Sequence, residues 1–168
     1  MAKRNIILCG FMGSGKSTIG GLLAKKMGMS FIDLDRYIEK QENRTISRIF
    51  EESGEAYFRE KEREASVTLG RKQGLVVAAG GGTLTFEENV KAFRENGRIV
   101  LLSITPEAVA LRLKNDTTRP LLAVPDKLGA IKELFEKRLP LYEKAADIIV
   151  DADQSPMQVC AQIMSELH

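Results

Sequence analysis

The sequence predicts an α/β fold in which a five-stranded parallel sheet lies between two layers of helices. Short apolar runs alternate with stretches of helical periodicity along the whole chain, a pattern that requires right-handed crossover connections. A glycine-rich loop between the first apolar run and the first helical stretch agrees with this arrangement. The length of 168 residues is that of one domain, so we predict a single domain over residues 1–168.

Five short segments are predicted to form the strands: NIILC, SFIDLD, LVVAAGGG (a strand that runs into glycines), RIVLLSI and DIIVDA. Runs that are almost entirely apolar are typical of parallel strands, which are buried on both faces. Ligands bind such sheets at the carboxyl ends of the strands. We therefore expect the polar and glycine-rich residues that follow the first three strands to converge at one edge of the sheet.

Start and stop signals mark the helices between the strands. KSTIGGLLAKKMG has apolar residues at helical spacing and ends at Gly28. The long charged segment after the second strand is predicted to be helical, with breaks near Asn43 and Gly54. Two later helices are predicted to open with a capping hydroxyl followed by proline, Thr105–Pro106 and Ser155–Pro156.

Composition excludes several classes of function. The net charge of +2, from 25 basic and 23 acidic residues, is too balanced for nucleic-acid or membrane-surface binding through bulk charge. The N-terminal apolar run stops at Gly10, too early for a secretory signal, so we expect a cytoplasmic protein without a membrane span. Cys9 and Cys160 are expected to be buried thiols. His168 is the one histidine, which makes chemistry with a histidine base or a histidine metal cluster unexpected.

The segment GFMGSGKS fits G-x-x-x-x-G-K-[ST], between a predicted strand and a predicted helix. Its glycines let successive backbone N–H groups point at phosphate oxygens, and the helix N-terminus adds partial positive charge. The lysine can reach the β- and γ-phosphates, and the hydroxyl after it is available to Mg²⁺. The motif predicts a nucleotide site formed by Gly10, Gly13, Ser14, Gly15, Lys16, Ser17 and Thr18.

Asp33 and Asp35, in the segment DLD, come at the end of the second predicted strand. At a strand end, one carboxylate can lie near a metal and the other near an acceptor hydroxyl. An acidic helix N-terminus, stabilised by the helix dipole, is the equally weighted alternative. The sequence alone leaves both interpretations open.

Two further segments suggest a binding site. Arg59, in GEAYFREKE, is of the residue type that pairs with a carboxylate through two hydrogen bonds, although the solvated face of a charged helix is the alternative. Three consecutive glycines, Gly80, Gly81 and Gly82, follow the third strand. Such a density indicates that another group approaches the backbone closely, with a flexible loop as the alternative.

Residues 116–129 are predicted to be irregular, and the part from about 113 to 126 is predicted to be a mobile lid. Arg119 lies in this lid, and Arg138 lies in the helix beyond it, which Pro140 is expected to kink. A lid arginine can stabilise the charge on a transferring phosphoryl group. A surface charge is the alternative for either arginine.

Together these segments resemble the shikimate kinases, a family of small-molecule P-loop kinases. The resemblance runs from about residue 5 to 165. Its motifs are GFMGSGKST, DLD, FRxxE at 58–62, GGG, RPLL at 119–122, RxxxY at 138–142 and VDxxQxP at 150–156. The first motif is shared by many nucleotide-binding proteins, whereas the combination is much more specific.

The resemblance implies a P-loop kinase three-layer sandwich that transfers the γ-phosphate of ATP to the 3-hydroxyl of shikimate, giving shikimate 3-phosphate and ADP. Ser17 and Asp33 would hold one Mg²⁺, the latter through water. Asp35, in a helical substrate-binding segment of about 35–62, would bind the acceptor hydroxyls and act as base. Arg59 and Arg138 would bind the acceptor carboxylate.

The remaining roles implied by the family concern the glycines and the nucleotide. Gly81, between Gly80 and Gly82, would donate a backbone contact to the acceptor, and Lys16 and Arg119 would contact the ATP phosphates during catalysis. Arg112 and Gln154 would flank the adenine. One departure is Ala79, where many members have threonine, and this puts in doubt a hydroxyl contact on the metal side.

Other classes of protein fit the sequence less well. A gluconate kinase shares the P-loop and an anionic, sugar-like acceptor, whereas a nucleoside monophosphate kinase usually carries a DGFPR-like segment that this chain lacks. A GTP-binding switch needs N-K-x-D, which is absent from the sequence, and DKLG at 126–129 is taken as chance. A non-catalytic ATP-binding module has no reason to carry matched acceptor residues. We expect a monomer whose partners are ATP and shikimate.

Overall fold

The central sheet has five parallel strands, as predicted. The computed structural model describes residues 3–114 and 125–167. The strands are β1 (Asn5–Cys9), β2 (Ser30–Asp33), β3 (Leu75–Ala78), β4 (Gly97–Ser103) and β5 (Ile148–Asp151). Their order is β2-β3-β1-β4-β5, and all neighbouring pairs are parallel. The strand that precedes the glycine-rich loop is therefore central, with the strand that precedes the three glycines beside it.

The helices of the described residues follow the predicted pattern. They are α1 (Lys16–Met27), α2 (Leu34–Glu42), α3 (Ile46–Ser53), α4 (Glu55–Gly70), α5 (Glu87–Arg94), α6 (Pro106–Arg112), α7 (Lys127–Ala145) and α8 (Pro156–Glu166), with a 3₁₀ turn at Thr83–Thr85. Asn43 ends α2 in a left-handed conformation, and Gly54 separates α3 from α4. Thr105 and Ser155 cap α6 and α8 with their hydroxyls, as their sequence signals predict.

The sheet separates two apolar cores. On one face, α1 and α8 pack through side chains such as Leu23 and Val159, both fully buried. The other face is covered by α2 to α7, whose buried residues include Leu34 and Ile131. This arrangement confirms the predicted three layers, and it explains why β1 is buried at every position.

The second strand and the helix α7 depart from their predicted boundaries for the same physical reason. The second strand ends at Asp33, because Oδ1 of Asp33 accepts a hydrogen bond of 3.2 Å from the backbone N–H of Arg36 and so caps α2. The helix α7 starts at Lys127, inside the segment predicted to be irregular, because Asp126 caps it by accepting from Gly129 N–H. The DKLG segment is thus a helix start.

Cys9 and Cys160 are buried thiols, as predicted. Burial raises the pKa of the Cys9 thiol to about 12, so this group is protonated at neutral pH. Within the described ranges, no helix combines the length and the apolar character that crossing a membrane requires.

Candidate active site

The glycine-rich loop between β1 and α1 has the geometry of a phosphate-binding loop. Gly13 and Gly15 have φ values of 80° and 95°, in the left-handed region that favours glycine. The side chain of Lys16 turns back and donates to the backbone carbonyl of Gly10. Thr18 lies exposed in the first turn of α1, at the helix end that attracts anions. The residues predicted to bind nucleotide phosphate thus form one continuous segment, a loop followed by the first turn of α1.

Asp33 joins this loop to α2. The hydroxyl of Ser17 donates to Oδ2 of Asp33 over 2.9 Å, while the other carboxylate oxygen caps the helix. The helix-capping interpretation of the DLD segment is therefore confirmed for Asp33, and the metal interpretation stays a prediction. A hydroxyl and a carboxylate are hard oxygen donors that suit Mg²⁺, which uses few protein ligands when substrate phosphates supply others. Among the described residues, no group of three or more His, Cys, Asp or Glu could hold a metal alone.

Asp35 lies in the first turn of α2 and is partly buried. Burial raises the pKa of its carboxyl group to about 6, and the negative charges of Asp33 and Glu62 add to this increase. The positive charge of Lys16 lowers the pKa of Asp35, which indicates that the lysine lies near this carboxyl group. A carboxyl group with this pKa is largely ionised at neutral pH and can still accept a proton.

The three consecutive glycines lie among the side chains of Asp35, Arg59 and Arg138, and the space between these groups is called the cleft. Each glycine faces a different charged side chain: an added Cβ would lie 2.7 Å from Asp35 Oδ1 at Gly80, 2.8 Å from Arg138 Nη1 at Gly81 and 2.8 Å from Arg59 Nη1 at Gly82. Contacts this short exclude any side chain without a shift of its neighbour. The glycines therefore leave room for three charged groups, one carboxylate and two guanidiniums, to pack against the backbone.

Arg59 is held at this cleft by contacts on several sides. Its Nη1 lies 2.9 Å from Oε1 of Glu62, and its Nε lies 3.5 Å from Glu55. The guanidinium also stacks near the rings of Phe58 and Phe86, at 5.3 and 5.2 Å from their centroids. The side chain is one quarter exposed, so it is ordered by the protein and still accessible to a ligand.

Arg138 is positioned by Tyr142, one turn later on α7. The tyrosine hydroxyl donates to the carbonyl of Gly81. It also interacts with Arg138, whose positive charge partly offsets the effect of burial; burial raises the pKa of Tyr142 to about 12. The phenol therefore stays protonated, and it joins α7 to the glycine segment.

Glu62, Thr83 and Tyr142 also belong to this site, although no role for them is predicted from the sequence. The spacing of FRxxE and RxxxY places the anchor one helical turn after each arginine, and this is the signal that could have identified Glu62 and Tyr142. Thr83 contacts Glu62 across the fold, with Oγ1 2.8 Å from Oε2. That contact depends on tertiary structure, so no local pattern reveals it.

Arg112 connects the phosphate loop to the loop before α8. Its guanidinium donates to the carbonyls of Gly13 at 2.8 Å and Ala152 at 3.1 Å. Gln154 lies in the second loop and donates to the carbonyl of Asp151 at 2.7 Å. The two residues expected to flank an adenine thus lie at one end of the phosphate loop.

The site residues predicted from the sequence form two adjoining groups. The phosphate loop, Asp33, Arg112 and Gln154 make up one group, and Asp35 and Arg59, together with Arg138 and the three glycines, make up the other. Lys16 is near both. Arg119 and most of the expected lid, residues 115–124, lie outside the described residues.

A phosphate loop beside a cleft that presents two guanidiniums and a carboxylate defines the class: this is a small-molecule P-loop kinase, an ATP-dependent transferase. The family model for shikimate kinase matches residues 12–168. The chain is 44% identical over 165 residues to the shikimate kinase of Sulfurihydrogenibium sp. (strain YO3AOP1), covering 98% of both chains. The chain therefore belongs to the shikimate kinase family.

Solved structures agree with this assignment. The shikimate kinase from Acinetobacter baumannii, solved in complex with shikimate, superposes with a TM-score of 0.92 at 34% identity, over 98% of this chain and 93% of that one. A gluconokinase from Sinorhizobium meliloti 1021 superposes with a TM-score of 0.57 at 17% identity, over 98% of this chain and 95% of that one. The second likeness extends to the fold alone, so the gluconate kinase alternative has less support.

Proposed function

We propose that this kinase transfers the γ-phosphate of ATP to the 3-hydroxyl of shikimate. The observation that carries the proposal is the convergence of Asp35, Arg59 and Arg138 on three consecutive glycines. Shikimate is small, hydroxylated and anionic, so its carboxylate matches the two guanidiniums and its hydroxyls match the aspartate. The position of this cleft next to the phosphate loop gives the acceptor access to the γ-phosphate.

Asp35 orients the acceptor and takes its proton. The 3-hydroxyl oxygen forms a bond to the γ-phosphorus, the bond from that phosphorus to the β–γ bridging oxygen breaks, and the electron pair leaves with ADP. The hydroxyl proton passes to the Asp35 carboxylate. Phosphoryl transfer depends mainly on positioning and charge stabilisation. The arginines therefore contribute by fixing the acceptor through its carboxylate, with the backbone of Gly81 as a further contact.

The phosphate loop and Lys16 bind the ATP phosphates, and Arg112 and Gln154 flank the adenine. Ser17 would hold one Mg²⁺ directly and Asp33 would hold it through water; bound there, the ion neutralises charge on the phosphates. Arg119 completes this set from the lid expected at about 113–126, which would close over both substrates and exclude water.

We further propose that the protein is a monomer located in the cytoplasm.

The first test is ADP release coupled to a spectroscopic readout, with Mg·ATP and shikimate, gluconate, AMP or no acceptor. We expect turnover with shikimate alone. Arg59→Ala should lower kcat/KM for shikimate by about 10²-fold or more, because a charge-assisted two-point contact and its orientation are lost. Lys25→Ala, at an exposed position in the last turn of α1, is the matched control and should leave the activity unchanged.

Turnover with gluconate or AMP would contradict the acceptor assignment while leaving the kinase class intact. Turnover that does not depend on any acceptor would overturn the roles of Asp35, Arg59 and Arg138. The Mg²⁺ roles are tested separately: Ser17→Ala and Asp33→Asn should each raise the Mg²⁺ concentration for half-maximal rate, with the KM for shikimate unchanged.

A further inference from the structure

A buried polar cluster lies behind the acceptor cleft. Thr83 is 0% exposed, Glu62 is 1% exposed and Asn89 is 2% exposed, so all three residues are buried. Burying a polar side chain costs free energy of folding unless its hydrogen bonds are satisfied. Their position directly behind Arg59 suggests that the cluster acts on that arginine.

The two oxygens of the Glu62 carboxylate have different partners. Oε1 lies 2.9 Å from Nη1 of Arg59, whereas Oε2 accepts a hydrogen bond of 2.8 Å from the Thr83 hydroxyl. A carboxylate and a guanidinium readily form a pair with two parallel hydrogen bonds. In this structure the threonine hydroxyl donates to the second oxygen, and the hydrogen bond between Glu62 and the guanidinium is made through the first oxygen.

Thr83 is itself held in place. Its carbonyl accepts from the side-chain amide of Asn89 at 3.0 Å, and its N–H donates to the carbonyl of Gly80 at 3.3 Å. A Cβ at Gly80 would also lie 3.0 Å from the Thr83 hydroxyl. The hydroxyl is thus fixed between the glycine segment and α4, and its contact with Glu62 is part of a connected network.

We propose that Thr83 is a positioning residue that sets the preference of the acceptor cleft for a carboxylate. Its hydroxyl holds the Glu62 carboxylate in the orientation that contacts Arg59 through one oxygen, so the guanidinium retains hydrogen-bonding capacity for the acceptor. Without the hydroxyl, Glu62 turns and closes a two-point pair with Arg59. The acceptor carboxylate then competes with an internal one. The inference rests on the proposed function, since it takes the acceptor carboxylate to bind Arg59.

The test compares two acceptors, shikimate and its carboxamide, in Thr83→Val, which has nearly the same shape but no hydroxyl. The ratio of kcat/KM for the carboxylate to kcat/KM for the carboxamide should fall about tenfold, the effect of a hydrogen bond to a charged group. The loss should lie in the KM for shikimate, with the KM for ATP unchanged. Thr83→Ser, which restores the hydroxyl, should recover the wild-type ratio.

Thr85→Val is the matched control. Its hydroxyl donates to the carbonyl of Gly82 over 2.6 Å in the same 3₁₀ turn and does not contact Glu62 in the structure. This variant should keep the wild-type carboxylate preference. If Thr83→Val does not fold, Thr83→Ala provides the same comparison.

An equal loss with both acceptors, or no loss with either, would overturn the role of Thr83. Failure of the proposed function is recognised separately, in the wild-type protein. A wild-type enzyme that does not phosphorylate shikimate, or that shows no preference for the carboxylate over the carboxamide, contradicts the acceptor assignment itself.

Discussion

At the scale of single residues, Asp35, the proposed base, is expected to combine a catalytic advantage with a cost in stability. Its carboxyl pKa of about 6 implies that kcat/KM for shikimate decreases as the pH falls below about 6, when the base becomes protonated. Asp35→Asn should abolish this acid limb and lower kcat by about 10²- to 10⁴-fold, the range for a general base. The check is a pH–rate profile of both proteins.

The same substitution should stabilise the protein at neutral pH. The pKa in the folded state, about 6, lies above the ordinary value of 3.8, so the folded protein binds this proton more tightly than the unfolded chain does. That contribution to stability is complete below pH ~4 and is lost as the pH rises through about 6. At pH 7, Asp35→Asn should therefore raise the free energy of unfolding by about 1–3 kcal/mol.

Urea unfolding at pH 7 and at pH 4 measures this difference. The stabilisation should shrink at the lower pH, where Asp35 is protonated in the folded state and only partly ionised in the unfolded chain. Glu51→Gln, at an exposed position, serves as control and should show no comparable gain. An Asp35→Asn protein that is less stable than wild type at pH 7 would contradict the proposed cost of burying this charge.

Site residues that belong to a local motif could be predicted from the sequence, whereas contacts between distant residues could not. Lys16, Ser17 and the loop glycines were recognisable because the phosphate loop is a local structure. Arg59 alone was ambiguous, because a charged helix face has the same composition. The contact between Arg59 and the glycine segment joins residues that are more than 20 positions apart, and so does the contact between Thr83 and Glu62. Contacts of this kind are determined by tertiary packing.

At the scale of elements, the glycine segment sets the positions of both arginines. Gly82→Ala would place a Cβ 2.8 Å from Nη1 and 2.9 Å from Nη2 of Arg59. A guanidinium at the end of a flexible side chain can move away, so the fold should survive. The displaced arginine should raise the KM for shikimate by about 10- to 100-fold, since small misplacements of binding groups have large effects.

Gly21→Ala is the control for this prediction. A Cβ at Gly21, inside α1, meets nothing within 4 Å. The change should leave both KM values unaltered and stabilise the protein by about 0.5–1 kcal/mol, because alanine favours the helix. Steady-state kinetics with thermal unfolding separate the two cases. A Gly82→Ala enzyme with an unchanged KM for shikimate would argue against close packing as the reason for the glycines.

Element boundaries were predicted less well than the elements themselves. The alternation of apolar runs and helical stretches identified all five strands, because burial on both faces requires that composition. The end of the second strand and the start of α7 were misplaced. In both cases an aspartate caps a helix, and the same residue is compatible with a strand end or an irregular loop until the hydrogen bond is seen.

At the scale of the whole molecule, the sheet order brings together segments that are far apart in the chain. The phosphate loop follows the central strand β1, the glycine segment follows its neighbour β3, and β4 lies on its other side. The parallel direction puts these ends at one edge. Arg112 joins two such segments, because it donates to carbonyls of the phosphate loop and of the loop that follows β5.

Arg112→Ala should therefore weaken ATP binding and leave acceptor binding intact. Loss of two hydrogen bonds from a charged donor should raise the KM for ATP about tenfold or more, with the KM for shikimate unchanged. Arg71→Ala, at an exposed position beyond α4, is the matched control and should change neither value. The increase in Tm produced by ADP should shrink in parallel, because that increase follows the affinity for the folded state. An Arg112→Ala enzyme that loses affinity for shikimate but not for ATP would contradict the assignment of Arg112 to the nucleotide group of the site.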